Sequence, residues 1–142
     1  MKTILAIDPG RSKCGVAVVR AAVELPRNVE ILHKSVIESA RLGETVIELC
    51  RRYDPDVIII GNGTTSAQAA KTISEVDLCP IEMVDEKFTS VLARKRFFKD
   101  NPPRGLKRLI PISLQTPDRP CDDYVAVILA ERYIEGFTLK LP

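Results

Sequence analysis

The chain has a single histidine, His33, in 142 residues. A Ser-His-Asp hydrolase would have to use that one residue, and no Gly-x-Ser-x-Gly elbow accompanies it. His33 lies in "VEILHKSVI" and reads as an ordinary strand residue. The four cysteines, Cys14, Cys50, Cys79 and Cys121, form no CxxC pair, which excludes a zinc ribbon or a thioredoxin-like motif. Apolar neighbours at three of the four predict buried free thiols. No apolar run approaches the roughly 20 residues that span a bilayer. The opening "MKTILAID" meets an acid at Asp8 and has no small-residue cleavage site, so no signal peptide is expected and a cytoplasmic location is. Repeats, low-complexity tracts and linkers are also missing, so residues 1–142 are expected to form one domain. What remains is 45% hydrophobic and 28% charged residues, the composition of a soluble globular chain.

"TILAID" and "GVAVVRA" are β-branched runs joined by a Pro-Gly turn, which predicts a hairpin. "VEILHKSVI" follows as a third strand. "GETVIELCRRY" carries Val46, Ile47, Leu49, Cys50 and Tyr53 at helical spacing. "DVIIIG" is a continuous apolar run, as a strand buried on both faces requires. A helix over Ser66–Val76, a strand "PIEMVDE" and a helix "TSVLARKRFF" with Thr89 as N-cap come next. Asn101–Pro120 holds five of the ten prolines and is expected to be loop. The last helix, "DDYVAVILAERYIEG", opens on two aspartates and is expected to stop near Gly136. The order β-β-β-α-β-α-β-α implies an α/β fold, a mixed sheet with helices on both faces.

Asp8 raises a physical question, because it ends a strand that otherwise reads as core. A buried charge costs several kcal/mol (roughly, for an unpaired group) unless it is paired, hydrogen-bonded or metal-bound. Asp8 closes the first strand, Asp85 and Glu86 close the last, and Asp122 with Asp123 open the last helix. Each has a plain account as a cap or as the place where solvent begins. Together, at the strand ends where ligands gather in such sheets, they suit a hard divalent cation. A pair of such ions roughly 3.5–4 Å apart can activate water against a phosphodiester.

Charge is segregated along the chain. Lys87, Arg94, Lys95, Arg96, Lys99, Arg104, Lys107 and Arg108 face only Asp100 between them, a net +7, which leaves −5 for the rest of a +2 chain. That asymmetry fits either a solvated basic face or a phosphate-backbone footprint.

"DPGRSKCGVAVV", "VDEKFTSVLARKRF" and "DDYVAVILAERYI", in this element order, resemble the ribonuclease H-like superfamily over nearly the whole chain. Within it they resemble the RuvC and YqgF branch of Holliday-junction resolvases and ribosomal-RNA-precursor nucleases. The opening Asp-Pro-Gly is similar to RuvC, while "VDEKFTS" before a basic helix is similar to YqgF. The resemblance implies a nuclease that uses Mg²⁺ or Mn²⁺, with Asp8, Glu86 and one of Asp122 or Asp123 as catalytic metal ligands. Asp122 matches the YqgF position and Asp123 the RuvC register. It implies branched DNA or structured RNA as the partner, held by Arg11, Lys13, Asn62, Thr64, Lys87, Arg94, Lys95, Arg96, Arg104, Lys107 and Arg108. The chain departs from the YqgF pattern in "GNGTTSAQ", which is short and lacks the usual proline, so Thr65 and Ser66 join Asn62 and Thr64 as expected contacts. It also has Lys13 where an arginine is usual, which keeps the charge but loses the bidentate fork.

Two other functions compete with this one. An ATPase half of the actin and sugar-kinase type opens on a similar Asp-x-Gly loop, but it needs a second domain and a second phosphate loop. A binding module that no longer cuts has no use for the carboxylate set. A homodimer would suit a junction with two equivalent strands, and the aliphatic last helix and "LIPISLQ" are expected to be core rather than its interface.

Overall fold

The computed structural model describes residues 2–22, 29–63, 65–76, 79–85, 87, 89–111 and 121–140, with backbone alone for 137–140. The elements are β1 (Lys2–Asp8), β2 (Lys13–Ala21), β3 (Val29–Glu38), α1 (Leu42–Tyr53), β4 (Val57–Gly61), α2 (Ser66–Ser74), β5 (Ile81–Val84), α3 (Thr89–Asp100) and α4 (Asp122–Lys140). Short 3-10 turns cover Ser39–Arg41 and Gly105–Leu109. The expected order and the mixed sheet are both present. Strands lie in the order β3-β2-β1-β4-β5, with β1–β2 and β2–β3 antiparallel and β1–β4 and β4–β5 parallel.

Period-two alternation sorts the two cores. Leu5, Ile7, Val16, Val18, Ile58 and Ile60 face α1 and α2, meeting Leu42, Val46, Leu49 and Ile73. Ile4, Ala6, Ala17, Val19 and Ile59 face α3 and α4, meeting Ala93, Phe97 and Phe98. Burying an aliphatic side chain of this size is worth about 1.5–3 kcal/mol, and β1 and β4 obtain it on both faces. α4 is apolar all round from Tyr124 to Ala130, and every one of those residues is buried. That stretch is core. Arg96 pairs with Glu131, and the Tyr124 hydroxyl donates to Asp100 Oδ2 at 2.9 Å, so α3 and α4 run antiparallel.

The structure corrects three expectations. α4 does not stop at Gly136 but continues to Lys140. One helical glycine costs only about 1 kcal/mol against alanine, too little to end a helix by itself. β5 ends at Val84, so Asp85 lies just beyond it. Of the cysteines only Cys14 is fully buried. The thiols of Cys50 and Cys79 hydrogen-bond to each other, and burial pushes both up, Cys79 to about 11. Among the described residues no helix is long and apolar enough to cross a membrane.

His33 is a strand residue on β3, its Nε2 2.9 Å from Ser35 Oγ and its ring 6.3 Å from that of Tyr53. Burial, reinforced by Arg52 and opposed by Glu48, lowers its pKa. As pH falls, the unfolded chain therefore takes up the proton first. The stability tied to neutral His33 is complete above about pH 6.5 and declines as pH falls through the folded-state value. Urea titrations from about pH 7.5 to 5.5 should show that decline, and His33→Gln should flatten it.

Candidate active site

β1, β4 and β5 run parallel, so their C-terminal ends open on the same edge of the sheet. Ile7, Ile60 and Met83 share a rung; Asp8 lies one residue past it and Glu86 three. Two strand spacings separate β1 from β5, about 10 Å. Asp8 shares the face of Ile4 and Ala6, and therefore points toward α4.

The start of α4 is brought to Asp8 by a missing side chain. Asp8 pairs with Gly15 on β2. A Cβ on Gly15 would lie 1.8 Å from the Asp122 carbonyl oxygen, so only glycine lets the first turn of α4 rest on this rung. The Asp122 carboxyl consequently hydrogen-bonds with Asp8. Burial raises the Asp122 pKa and the Asp123 charge adds to it, while the Asp8 hydrogen bond and Lys13 oppose. Two touching carboxyls must share a proton or a cation.

Asp123 is engaged differently. It is buried, its Oδ2 lies 3.5 Å from Lys34 Nζ on β3, and its Oδ1 accepts the Tyr124 N–H at 3.0 Å. Lys34 Nζ also sits 4.4 Å from the centre of the Tyr124 ring. Glu86 falls outside the described residues, but the backbone on either side of it is held. Arg132 of α4 donates to the carbonyl of Asp85 at 2.7 Å and to that of Lys87, while Lys87 N–H donates to Asp85 Oδ1 at 2.9 Å. Among the described residues no three His, Cys, Asp or Glu side chains stand together as a metal-ion group.

The expected substrate contacts spread around this edge. Arg11 in the β1–β2 turn and Lys13 at the start of β2 are exposed, and Asn62 is exposed just past β4; Thr64 lies outside the described residues. Thr65 precedes α2 and Ser66 opens it. Lys87, Lys95, Arg104, Lys107 and Arg108 are exposed and Arg94 half-buried, whereas Arg96 is tied to Glu131. On the α1–α2 side of the turn, Arg11, Ser39, Thr65, Gln68 and Thr72 line a cavity of about 360 Å³.

Sequence reasoning missed three residues. Gly15 was visible as the second glycine of "DPGRSKCG", but what it accommodates was not. Lys34 and Arg132 left no signal, since a strand lysine and a helix arginine usually just meet solvent.

The model of the family described as "RuvX: Holliday junction resolvase" matches residues 2–135. The chain belongs to the RuvX resolvase family. A Clostridium novyi (strain NT) protein named "Putative pre-16S rRNA nuclease" is 29% identical, covering 75% of this chain and 86% of that protein. The Thermus thermophilus RuvC structure superposes with a TM-score of 0.58 at 14% identity, covering 94% of this chain and 96% of that one. Fowlpox virus resolvase in complex with Holliday junction DNA gives 0.64 at 14%, covering 95% and 98%. The fold is thus the ribonuclease H-like resolvase fold.

Two substitutions test the construction of the site. Gly15→Ala should cost roughly 1–3 kcal/mol or more by lifting α4 off β2. Gly43→Ala, whose Cβ would meet only Thr72 Cγ2 at 3.6 Å, should be tolerated, and urea unfolding of the two side by side checks this. Arg132→Met should leave the core intact while speeding amide hydrogen exchange at Asp85–Lys87 selectively.

Proposed function

We propose that the chain is a divalent-metal-dependent endonuclease that hydrolyses phosphodiester bonds in structured nucleic acid. The observation that carries this reading is the contact between the Asp8 and Asp122 carboxyls on the Gly15 rung. The donor set fits the cation. It is made of oxygens only, which suits Mg²⁺ or Mn²⁺ rather than a softer metal, and two carboxylates in contact are relieved by positive charge. Asp8, Asp122 and Glu86 would hold the metal, and Arg132 fixes the Asp85 and Lys87 carbonyls that flank Glu86 in the sequence. When bound, one or two such ions supply Lewis-acid stabilisation of the phosphate charge and a water of lowered pKa.

This chain's own residues do the rest. Asp122 is favoured over Asp123 as ligand, because Asp123 is occupied with Lys34 and the Tyr124 N–H. Lys13 offsets charge at Asp122 from the start of β2. The exposed cations Arg11, Lys87, Lys95, Arg104, Lys107 and Arg108, with the half-buried Arg94, hold the phosphate backbone, and Asn62, Thr65 and Ser66 border the same edge, with Thr64 between them in the sequence as a further expected contact. A homodimer in the cytoplasm completes the proposal, since a two-fold assembly offers one site to each of two equivalent strands.

Holliday-junction DNA and ribosomal RNA precursor are the two candidate substrates, the first favoured by the family description and the second by the Clostridium novyi relative's name. Cleavage of a labelled four-way junction and of an RNA panel, each with Mn²⁺ and with EDTA, separates them. Asp8→Asn should fold, keep its nucleic-acid affinity and lose at least about 100-fold in cleavage rate, the scale of a lost metal ligand. Near-normal cleavage by that variant would sink the mechanism. A thermal shift with Mg-ATP and none with nucleic acid would favour the ATPase reading instead.

The basic residues should separate by environment. Arg94→Ala and Lys107→Ala should each weaken binding across sequences and reduce the salt slope by about 1. Arg96→Ala should chiefly destabilise, because it strands Glu131 between α3 and α4.

A further inference from the structure

Leu106 and Leu109 are the most exposed large apolar side chains among the described residues, at 83% and 82%. The expectation that "LIPISLQ" is core therefore fails at its first two residues, Leu109 and Ile110, both exposed. Both leucines belong to the 3-10 turn Gly105–Leu109. With three residues per turn, positions 106 and 109 eclipse, so the two leucines form one ridge. By the same rule Lys107 and Arg108 lie on the other two sides of the turn, while Arg104 precedes it in extended backbone.

The turn is built rather than slack. Gly105 adopts φ +64, a left-handed conformation that favours glycine, after an extended Arg104. Arg108 Nε donates to the Gly105 carbonyl at 3.3 Å, and Ile110 N–H donates to that of Lys107 at 3.1 Å. Pro102, Pro103 and Pro111 stiffen the chain on either side. The prolines reduce the freedom lost when such a turn is ordered on a partner.

Its location follows from the helix pair. The Tyr124–Asp100 hydrogen bond puts the end of α3 against the first turn of α4, where Asp122 meets Asp8. Gly105 is five residues further on, at most about 17 Å of chain, or roughly five nucleotide steps. Residues 101–110 carry three cations and no acid. Such charge selects a polyanion, and it disfavours the turn packing against its own copy across a two-fold axis, where like would meet like.

We propose that Leu106 and Leu109 form an apolar wedge that packs against an unstacked base, while Arg104, Lys107 and Arg108 hold the flanking phosphates. This rests on the nucleic-acid reading above and adds what in the substrate is recognised. Unstacking is cheapest where pairing is already broken, so the wedge favours branch points and single strands over intact duplex. Cations alone do not discriminate in this way, since every duplex offers phosphates.

The test uses the full chain in EDTA, bound to a four-way DNA junction and to an RNA hairpin, with 2-aminopurine placed in turn at each position bordering the branch or loop. Wild type should brighten at least one position. Leu106→Ser/Leu109→Ser should keep its melting temperature and salt slope, lose the brightening, and lose about tenfold in preference for the branched or looped probe over duplex. Leu106→Met/Leu109→Met should retain all three. Arg104→Ala/Lys107→Ala should instead weaken all probes alike and lower the salt slope by about 2. The wedge is overturned if wild type brightens no position, or if the serine variant keeps both brightening and preference. It is equally overturned if the serine variant's only defect is loss of a dimer in sedimentation or of binding to anionic phosphatidylserine vesicles. Wild type that binds no probe overturns the nucleic-acid reading itself.

Discussion

The seating of α4 on the hairpin at Gly15 is the constraint on which the site depends. A helix start is normally kept about a side chain's width from a strand, but here the Asp122 carbonyl occupies the space a Cβ would fill. That approach does two things. It carries an acidic residue to the end of the central strand, and it points the helix N-terminus, with its partial positive charge, at the same spot. The second partly offsets the repulsion that the first creates. It does not remove it, since burial and Asp123 still hold the Asp122 pKa high.

Seating of this kind needs a rigid floor and a rigid helix. β1 and β4 supply the floor, being buried on both faces over Ile4–Ile7 and Val57–Ile60. α4 is held along its length: Lys34 reaches Asp123 at its start, Tyr124 bonds to Asp100, and Glu131 takes Arg96. Further along, Arg132 grips the carbonyls flanking Glu86. One helix therefore links the β1–β2 hairpin, the middle of β3 and the chain just past β5, which are far apart in the sequence. Displacing it would disturb the carboxyl contact and the Asp85 and Lys87 carbonyls together, because both are fixed through it.

Most of the fold was legible because its signals are periodic. "VIII" between polar flanks is a two-faced strand in any reading, and "TVIELCRRY" has a helical stripe. Local signals that depend on a neighbour were not legible. Gly136 resembles a stop yet sits inside a helix, since one glycine is a small penalty set against a long packed segment. Asp122 and Asp123 are adjacent and chemically identical in the sequence. Only the helix rotation sends one toward β1 and the other toward Lys34. Leu109 and Ile110 read as core from their type alone, because hydrophobicity says nothing about whether a partner exists within the chain.

The segregation of charge acquires a structural meaning from these placements. Had the basic segment packed directly on the carboxyl pair, its cations would have satisfied the acids, and neither group would be available to a ligand. Instead Arg96 is used inside the α3–α4 contact, while the exposed cations extend along α3 and out onto the turn beyond it. Lys13 acts on Asp122 from the opposite side of the site, and its effect is outweighed by burial. Acids and bases therefore stay in neighbouring but distinct zones. On the proposed reading a small hard cation suits the first, where space is tight and the donors are oxygens. A long polyanion suits the second, where the charges are spread and solvated. A substrate with an exposed base beside its phosphates engages both the cations and the leucine ridge, which an intact duplex does less readily.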